Sequence, residues 1–263
     1  MSERTQIPGK FVWFELVSPD PTAHKKAQAF YAEVLGWNVQ AVPMGNFTYE
    51  MILTGASLDT MIGGYATLRD PRQPSHWISY LSVEDVDAAL SAVVANGGRV
   101  VGKPMDAPSV GRMARIADPQ GAELCVFRSA TGDPPDVTVA VRGGWLWNEL
   151  HTSDPTQALA FYEKALGFSH RAMDMGPAGT YHIISRNGVD RGGVTGHLQP
   201  GAPPHWLPYV AVDDVDAAVA RARKLGATIP MGAEDIPGVG RIGVLKDPTG
   251  AVLAIMKPLP RQE

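Results

Sequence analysis

Two carboxylates lie in otherwise apolar, alternating segments and carry the clearest chemical potential in the chain. Glu15 lies in FVWFELVS and Glu149 in WLWNELHT. A carboxylate among aromatic side chains is costly to bury unless it is paired. Burial can also raise the pKa of a carboxyl group far enough for general-base chemistry. Glu15 and Glu149 are therefore the candidate catalytic residues.

Other polar and aromatic side chains share the strand face of these carboxylates. Alternate residues of a strand point to opposite faces, so Trp13 accompanies Glu15, and Trp147 and His151 accompany Glu149. The runs HWISYLSV and HWLPYVAV place four more residues on the corresponding face: His76, Tyr80, His205 and Tyr209. Aromatic walls with few polar groups suit a small, flat organic ligand. The alternative is that these residues are core or structural.

Two arginines and one cysteine complete the set of candidates. Arg112 and Arg241 each follow a Val-Gly pair, and a guanidinium can bind a ligand carboxylate or phosphate through two parallel hydrogen bonds. Each arginine can equally pair with a neighbouring acid. Cys125 has no base beside it in the sequence, so we interpret it as a small core or cavity residue and not as a nucleophile.

An internal repeat organises the elements that position these residues. FVWFELVSPDP matches WLWNELHTSDP, AFYAEVLGW matches AFYEKALGF, and two further blocks around HW and DPxGA agree at nearly constant offset. Repetition over four blocks predicts two homologous domains. We place them at residues 9–129 and 143–260, joined by a linker at 130–142 whose Gly-Asp-Pro-Pro is typical of turn and extended chain.

Each domain contains a fainter repeat of a strand followed by a helix. Asp20-Pro21 predicts the start of one helix and Gly36 its end, while Asp85 and Asn96 bound a second. Short strands punctuated by Gly and Pro follow each helix. The coarse unit is therefore βαβββ, present four times in an α+β chain.

Composition limits the classes of partner. The 263 residues are 44% hydrophobic and 19% charged, with a net charge of −4, which suits a folded chain and does not support nucleic-acid binding. A single cysteine excludes an intrachain disulfide and favours a reducing compartment, so we expect a cytoplasmic protein. The first ten residues lack the apolar core of a signal peptide. No run of 18 apolar residues is present, and no membrane partner is expected.

These motifs together resemble a known superfamily. FY…LG(W/F) in the first helix, V(E/D)DVDAA at the start of the next and DP(Q/T)GA before the last strand are similar to the vicinal oxygen chelate superfamily, which includes glyoxalases, bleomycin-resistance proteins and extradiol dioxygenases. HW(I/L)xY and WxWxEL resemble two-domain actinobacterial members of glyoxalase or hydroxylase type. The resemblance implies tandem glyoxalase-like domains, with the four units forming two incomplete barrels.

The resemblance also implies where a metal site would lie. Its ligand positions fall on Trp13, Ile78 and Cys125 and near Gly63-Gly64 in the first domain. In the second domain they fall on Trp147, Leu207 and Ala254 and near Gly192-Gly193. Divalent metals of this class need imidazole or carboxylate donors, so we predict that the ordinary site is lost in both domains and that no cofactor is bound. A displaced trio of Glu15, His76 and Glu123 is the alternative metal site.

These observations predict a superfamily protein that binds a small, flat organic ligand in aromatic barrel cavities. The alternative is a glyoxalase-like or dioxygenase-like enzyme that uses the displaced metal site or a metal-free carboxylate base. A chain that carries both domains can act as a monomer or as a homodimer.

Overall fold

The computed structural model describes residues 5–45, 47–67, 73–137, 139, 141–176 and 179–260. Positions 138 and 140 of the predicted linker lie outside the described residues. Within the described residues four α-helices occur, at Pro21–Leu35 (α1), Val86–Ala95 (α2), Pro155–Leu166 (α3) and Val215–Lys224 (α4). An aspartate caps each helix by accepting from the backbone N–H three residues later. The Asp-Pro and Asp-Val pairs thus set the helix starts as predicted.

Nine strands belong to the first sequence repeat and form one sheet. They are Phe11–Ser18 (β1), Asn38–Met44 (β2), Phe47–Leu53 (β3), Met61–Thr67 (β4), His76–Ser82 (β5), Arg99–Val100 (β6), Met105–Ala107 (β7), Gly111–Ala117 (β8) and Glu123–Ser129 (β9). The strand order is β2-β3-β4-β1-β5-β9-β8-β6, with β7 also paired to β8. A short 3-10 helix, Leu58–Thr60, precedes β4.

Eight strands of the second repeat form an equivalent sheet. They are Trp145–His151 (β10), Ser169–Asp174 (β11), Thr180–Arg186 (β12), Val189–Thr195 (β13), His205–Ala211 (β14), Thr228–Ile236 (β15), Gly240–Lys246 (β16) and Val252–Pro258 (β17). Their order, β11-β12-β13-β10-β14-β17-β16-β15, repeats that of the first sheet. Neither sheet closes on itself within the described residues, which confirms an α+β fold of incomplete barrels.

The four βαβββ units are present, with one difference in the second unit. After α2, the first of the three expected strands is divided into β6 and β7, both paired with β8. Gly102 lies between them with a φ of +88°, and Pro104 removes a backbone donor. The corresponding segment of the second repeat is one strand, β15, whose pairing with β16 contains two register shifts.

The chain divides into two compact units, each drawn from both repeats. The first unit comprises Met1–Trp13, Ile78–Asp136 and Trp147–Leu207. Its core joins buried side chains of β5, α2, β8 and β9 to those of β10, α3 and the following strands, including Leu81, Val126, Leu150 and Tyr162. The predicted domain boundaries follow the repeats and stay a prediction.

The second unit comprises Phe14–Trp77, Val137–Leu146 and Pro208–Glu263. Its interior contains an aromatic cluster in which Trp37, Trp77 and Trp145 pack edge to face at centroid distances of 5.2–5.8 Å. The Trp37 Nε1–H donates to the carbonyl of Gly143 at 2.7 Å, so the polar edge of this buried ring is satisfied. Among the described residues, every helix is too short or too polar to cross a membrane.

Candidate functional site

Glu149 is the centre of a polar cluster on β10. The side chains of Trp147, Glu149 and His151 share one face of this strand, as the alternation predicts. Glu149 is only 9% exposed, yet its Oε1 lies 2.8 Å from Nε2 of His151. The buried carboxylate therefore has an ion-pair partner when His151 is protonated.

Tyr181 supports the same carboxylate and was missed by sequence reasoning. Its hydroxyl accepts from Nε1–H of Trp147 at 2.8 Å and hydrogen-bonds to Glu149. A Cβ on Gly193, which pairs with Glu149 across β10 and β13, would lie 1.8 Å from the Tyr181 oxygen. The glycine thus makes room for the hydroxyl. Burial and the nearby Glu149 raise the pKa of Tyr181 well above its usual range, so this hydroxyl stays protonated.

Two histidines stack beside Glu149. The rings of His151 and His205 have centroids 5.1 Å apart and are nearly parallel, at 7°. Nδ1 of His151 lies 2.8 Å from the carbonyl of His197, and Nδ1 of His205 lies 2.9 Å from the carbonyl of Pro203. β14 begins at His205, so the Pro-His-Trp sequence at its start sets this ring against β10.

The two imidazoles titrate in opposite directions. Burial lowers the pKa of His151, but the contact with the Glu149 carboxylate outweighs it, and the pKa is raised overall. Burial lowers the pKa of His205, and the adjacent His151 lowers it further. The cluster consequently combines one imidazole biased towards the cation with one biased towards the neutral form, an arrangement suited to both accepting and donating hydrogen bonds.

The first repeat contains a smaller version of this cluster. The Tyr49 hydroxyl donates to Oε1 of Glu15 at 2.6 Å, and a Cβ on Gly64 would lie 2.2 Å from the Tyr49 oxygen. His76 has its Nδ1 3.0 Å from the carbonyl of Pro74. Tyr49 and Tyr181 lie in the related segments FTYE and GTYH, the sequence signal by which both could have been found.

The two predicted arginines form ion pairs with acids outside these clusters. Arg112 pairs with Asp87 and Asp106, and Arg241 pairs with Asp216 and Asp235. Both arginines thus adopt the alternative in which the guanidinium binds neighbouring acids. Trp13 is half-buried in β1. Three more are buried within their strands: Tyr80, Tyr209 and Cys125.

The donor set does not fit the metal that the fold implies. Ile78 and Leu207 are buried apolar residues, and tyrosine hydroxyls occupy the space over Gly64 and Gly193. Glu123 forms an ion pair with Arg115 at 2.6 Å. Within the described ranges, no group of three or more His, Cys, Asp or Glu side chains is placed to hold a metal. The trio of Glu15, His76 and Glu123 is therefore not assembled there.

Two surface clefts lie in the second compact unit. One, of about 100 Å³, is lined by residues of α1 and α4 and by Arg142. The other, of about 250 Å³, lies beside Arg142, Asp213 and Lys257. Neither cleft is lined by a residue of the Glu15 or Glu149 cluster, so the aromatic cavity inferred from the sequence stays a prediction.

The sequence matches one family twice. The family described as the Glyoxalase/Bleomycin resistance protein/Dioxygenase superfamily matches residues 11–126 and 146–255. "Putative glyoxylase CFP32" of Mycobacterium tuberculosis is 36% identical over 252 residues, covering 95% of both chains. "Anthracycline biosynthesis protein DnrV" of Streptomyces peucetius is 34% identical over 268 residues, covering 95% of this chain and 94% of the relative.

Solved structures share the fold at lower identity. The Mn(II)-bound glyoxalase from Novosphingobium aromaticivorans superposes with a TM-score of 0.64 at 18% identity, covering 96% of this chain and 83% of that one. At this identity the similarity shows a common fold.

Proposed function

The chain belongs to the Glyoxalase/Bleomycin resistance protein/Dioxygenase superfamily, and from that premise we propose that it binds a small, flat organic molecule without a metal ion. The proposed site is the cluster of Trp147, Glu149, His151, Tyr181 and His205 in the second repeat. The Glu15 cluster of the first repeat is a second, simpler site of the same kind.

One observation carries this proposal. The Tyr181 hydroxyl fills the space over Gly193, where the family resemblance places a metal ligand. Glu149 is instead held by Tyr181 and His151, two groups of the protein itself. The same substitution of a tyrosine hydroxyl for a metal-binding group recurs at Tyr49, which supports a shared loss of the metal in both repeats.

The chemistry of the cluster indicates the ligand class. Trp147 offers an aromatic surface, and the imidazole and carboxylate groups offer a few polar contacts, a combination typical of sites for planar organic molecules. The name of the relative from Streptomyces peucetius, an anthracycline biosynthesis protein, supports a polycyclic aromatic ligand. The single cysteine supports a cytoplasmic location, and the tandem repeat supports a monomer or a homodimer.

A second candidate is an enzyme of glyoxalase-like or dioxygenase-like type. The observation that favours it is the 9% exposure of Glu149 beside a charged histidine, because a buried carboxylate can serve as a metal-free base. In this alternative Glu15 and Glu149 are the catalytic residues. Retention of a metal by the purified protein would favour the version of this alternative that uses a displaced metal site.

Native mass spectrometry with a binding titration tests the proposal. We expect the protein, purified without chelator, to contain no stoichiometric metal, and its affinity for the planar probe β-naphthol to be unchanged by EDTA. Trp147→Leu should weaken binding about tenfold, since stacking of one aromatic ring contributes on the order of 1 kcal/mol. The control Phe47→Leu removes an aromatic ring that is 57% exposed and should leave affinity unchanged.

Two results would count against metal-free binding. One is a stoichiometric Mn, Fe, Ni or Zn ion whose removal abolishes probe binding. The other is equal affinity of the wild type and Trp147→Leu, which would move the site away from this cluster.

A further inference from the structure

The hydrogen bonds of His205 define which ring nitrogen can meet a ligand. A backbone carbonyl only accepts, so Nδ1, at 2.9 Å from the Pro203 oxygen, carries a proton. In a neutral ring the lone pair then belongs to Nε2. Among the described residues, none donates a hydrogen bond to this atom, and the ring is only half-buried. Nε2 is therefore an available hydrogen-bond acceptor.

His151 differs because both of its ring nitrogens face acceptors. Nδ1 lies 2.8 Å from the His197 carbonyl, and Nε2 lies 2.8 Å from the Glu149 carboxylate. The backbone carbonyl only accepts, so Nδ1 carries a proton. The Glu149 carboxylate beside Nε2 favours a second proton there and biases His151 towards the imidazolium.

We propose that Nε2 of His205 selects ligands that present a hydroxyl group as a hydrogen-bond donor, such as phenols, and that the stacked His151 cation keeps His205 in its accepting form. This inference rests on the proposed function, since it assigns the polar specificity of the same site. An imidazolium stacked 5.1 Å away disfavours a second positive charge by direct repulsion.

The selection should disappear on acidification. Burial is the largest influence that opposes protonation of His205, and the hydrogen bond to Pro203 favours it. Of the charged and titratable groups, His151 opposes protonation and Glu149 favours it. The pKa of His205 is lowered overall, so the ring is neutral at about pH 7 and becomes protonated only below its ordinary range near 6.5. A protonated His205 donates at both nitrogens and no longer prefers a hydroxyl over an ether.

The two repeats differ in the residue that lies two positions after the glutamate. The position that corresponds to His151 is Val17, two residues after Glu15. The first repeat therefore has no imidazolium from β1 to hold His76 in its accepting form. This asymmetry assigns the pH-sensitive selection to the second repeat.

The matched probes β-naphthol and its methyl ether test the inference, because they differ by a single capped hydroxyl. Calorimetric titration of the full chain at about pH 7 should show β-naphthol bound about three- to tenfold more tightly than the ether, the range of one net hydrogen bond. At a pH low enough to protonate His205, followed by its ring resonances in NMR, the two affinities should agree within about twofold, since protonation removes the acceptor. The ratio of the two probes cancels effects of pH on the rest of the site.

His205→Phe keeps a ring to stack on His151 but lacks the acceptor, so it should bind both probes equally at either pH. The control His182→Phe changes a histidine of β12 on the face opposite Tyr181 and should keep the preference. If His205→Phe does not fold, the pH titration of the wild type decides alone.

Three outcomes would overturn the inference. If the wild type binds the two probes equally at about pH 7, the proposed function stands, but Nε2 of His205 does not select a hydroxyl group. A preference retained by His205→Phe, or retained after the NMR signals show that His205 is protonated, assigns the selection to another group. Failure to bind either probe overturns the proposed function and this inference with it.

Discussion

At the residue scale, two opposing influences set the charge of His151. Burial favours the neutral ring, whereas the Glu149 carboxylate 2.8 Å away favours the cation. Because the pKa is raised overall, the folded state binds this proton more tightly than the unfolded chain. The stabilisation is fully present below the unfolded pKa of about 6.5 and is lost as pH rises through the raised value of the folded state.

Removing the charge of Glu149 should reverse this balance. In Glu149→Gln we expect the pKa of His151 to fall. Burial lowers this pKa, and in the variant only the hydrogen bond to the His197 carbonyl still raises it. Titration of the histidine ring resonances by NMR measures the pKa of His151. The variant His151→Gln identifies its signal among those of the seven histidines. Glu163→Gln, which neutralises an exposed acid on α3, should leave the pKa of His151 unchanged. An unaltered pKa in Glu149→Gln would show that the ion pair does not control this histidine.

Sequence analysis named four of the five residues of the Glu149 cluster and missed Tyr181. Alternation along β10 was enough to place Trp147, Glu149 and His151 on one face, because the period of a strand is two. Tyr181 could not be placed in the same way, since its role depends on the pairing of β12 and β13 and on the missing side chain of Gly193. Such a contact arises from register between strands, which no single segment encodes.

At the element scale, the Asp-Pro-x-Gly turns connect the last two strands of each repeat. Asp118 is 1% exposed, and its Oδ1 accepts from three successive N–H groups, those of Gln120, Gly121 and Ala122. Its Oδ2 accepts from the Tyr162 hydroxyl at 3.2 Å. Burial raises the pKa of Asp118, and these hydrogen bonds oppose that effect. One carboxylate thereby ties the β8–β9 turn to α3.

Asp118→Ala should destabilise the protein strongly, because it leaves several buried donors without an acceptor. We expect a loss of at least about 3 kcal/mol, against about 1–2 kcal/mol for Tyr162→Phe, which removes one donor to Asp118 and the acceptor of the Trp206 Nε1–H. Urea unfolding measures both. Asp118→Asn, which keeps an acceptor oxygen, should fall between them. Equal losses for Asp118→Ala and Tyr162→Phe would mean that the backbone contacts of the turn contribute little.

Elements bounded by strong local signals were the predictable part of the fold. Asp20-Pro21 and Gly36, whose φ is +75°, bound α1 as expected, because capping depends on a few adjacent residues. The break between β6 and β7 was not predicted from the sequence. A proline does not by itself mark such a break, because Pro230 lies within β15 of the second repeat. Local sequence therefore defines helix ends better than it defines strand continuity.

At the scale of the whole molecule, sequence repeats and compact units do not coincide. Repeat comparison groups residues 9–129 together, but the first compact unit joins Ile78–Asp136 of that repeat to Trp147–Leu207 of the next. Its core includes buried residues from both segments, among them Val93 and Phe161. Each repeat alone therefore contains only part of the core of either unit. The periodicity of one segment shows that it has an apolar face but not which other segment packs against that face.

Division of the chain between Asp136 and Val137 should consequently yield two fragments that do not fold as monomers. Each fragment would expose the apolar faces of its helices and strands, whose burial is the main favourable contribution to folding. We expect dimers or aggregates of each fragment by sedimentation velocity, and recovery of a one-to-one complex when the two are refolded together. As a control, a protease site inserted at the same point and cleaved after folding should leave the fragments associated. A folded monomeric fragment would show instead that the repeats, with the predicted boundaries 9–129 and 143–260, are the independent folding domains.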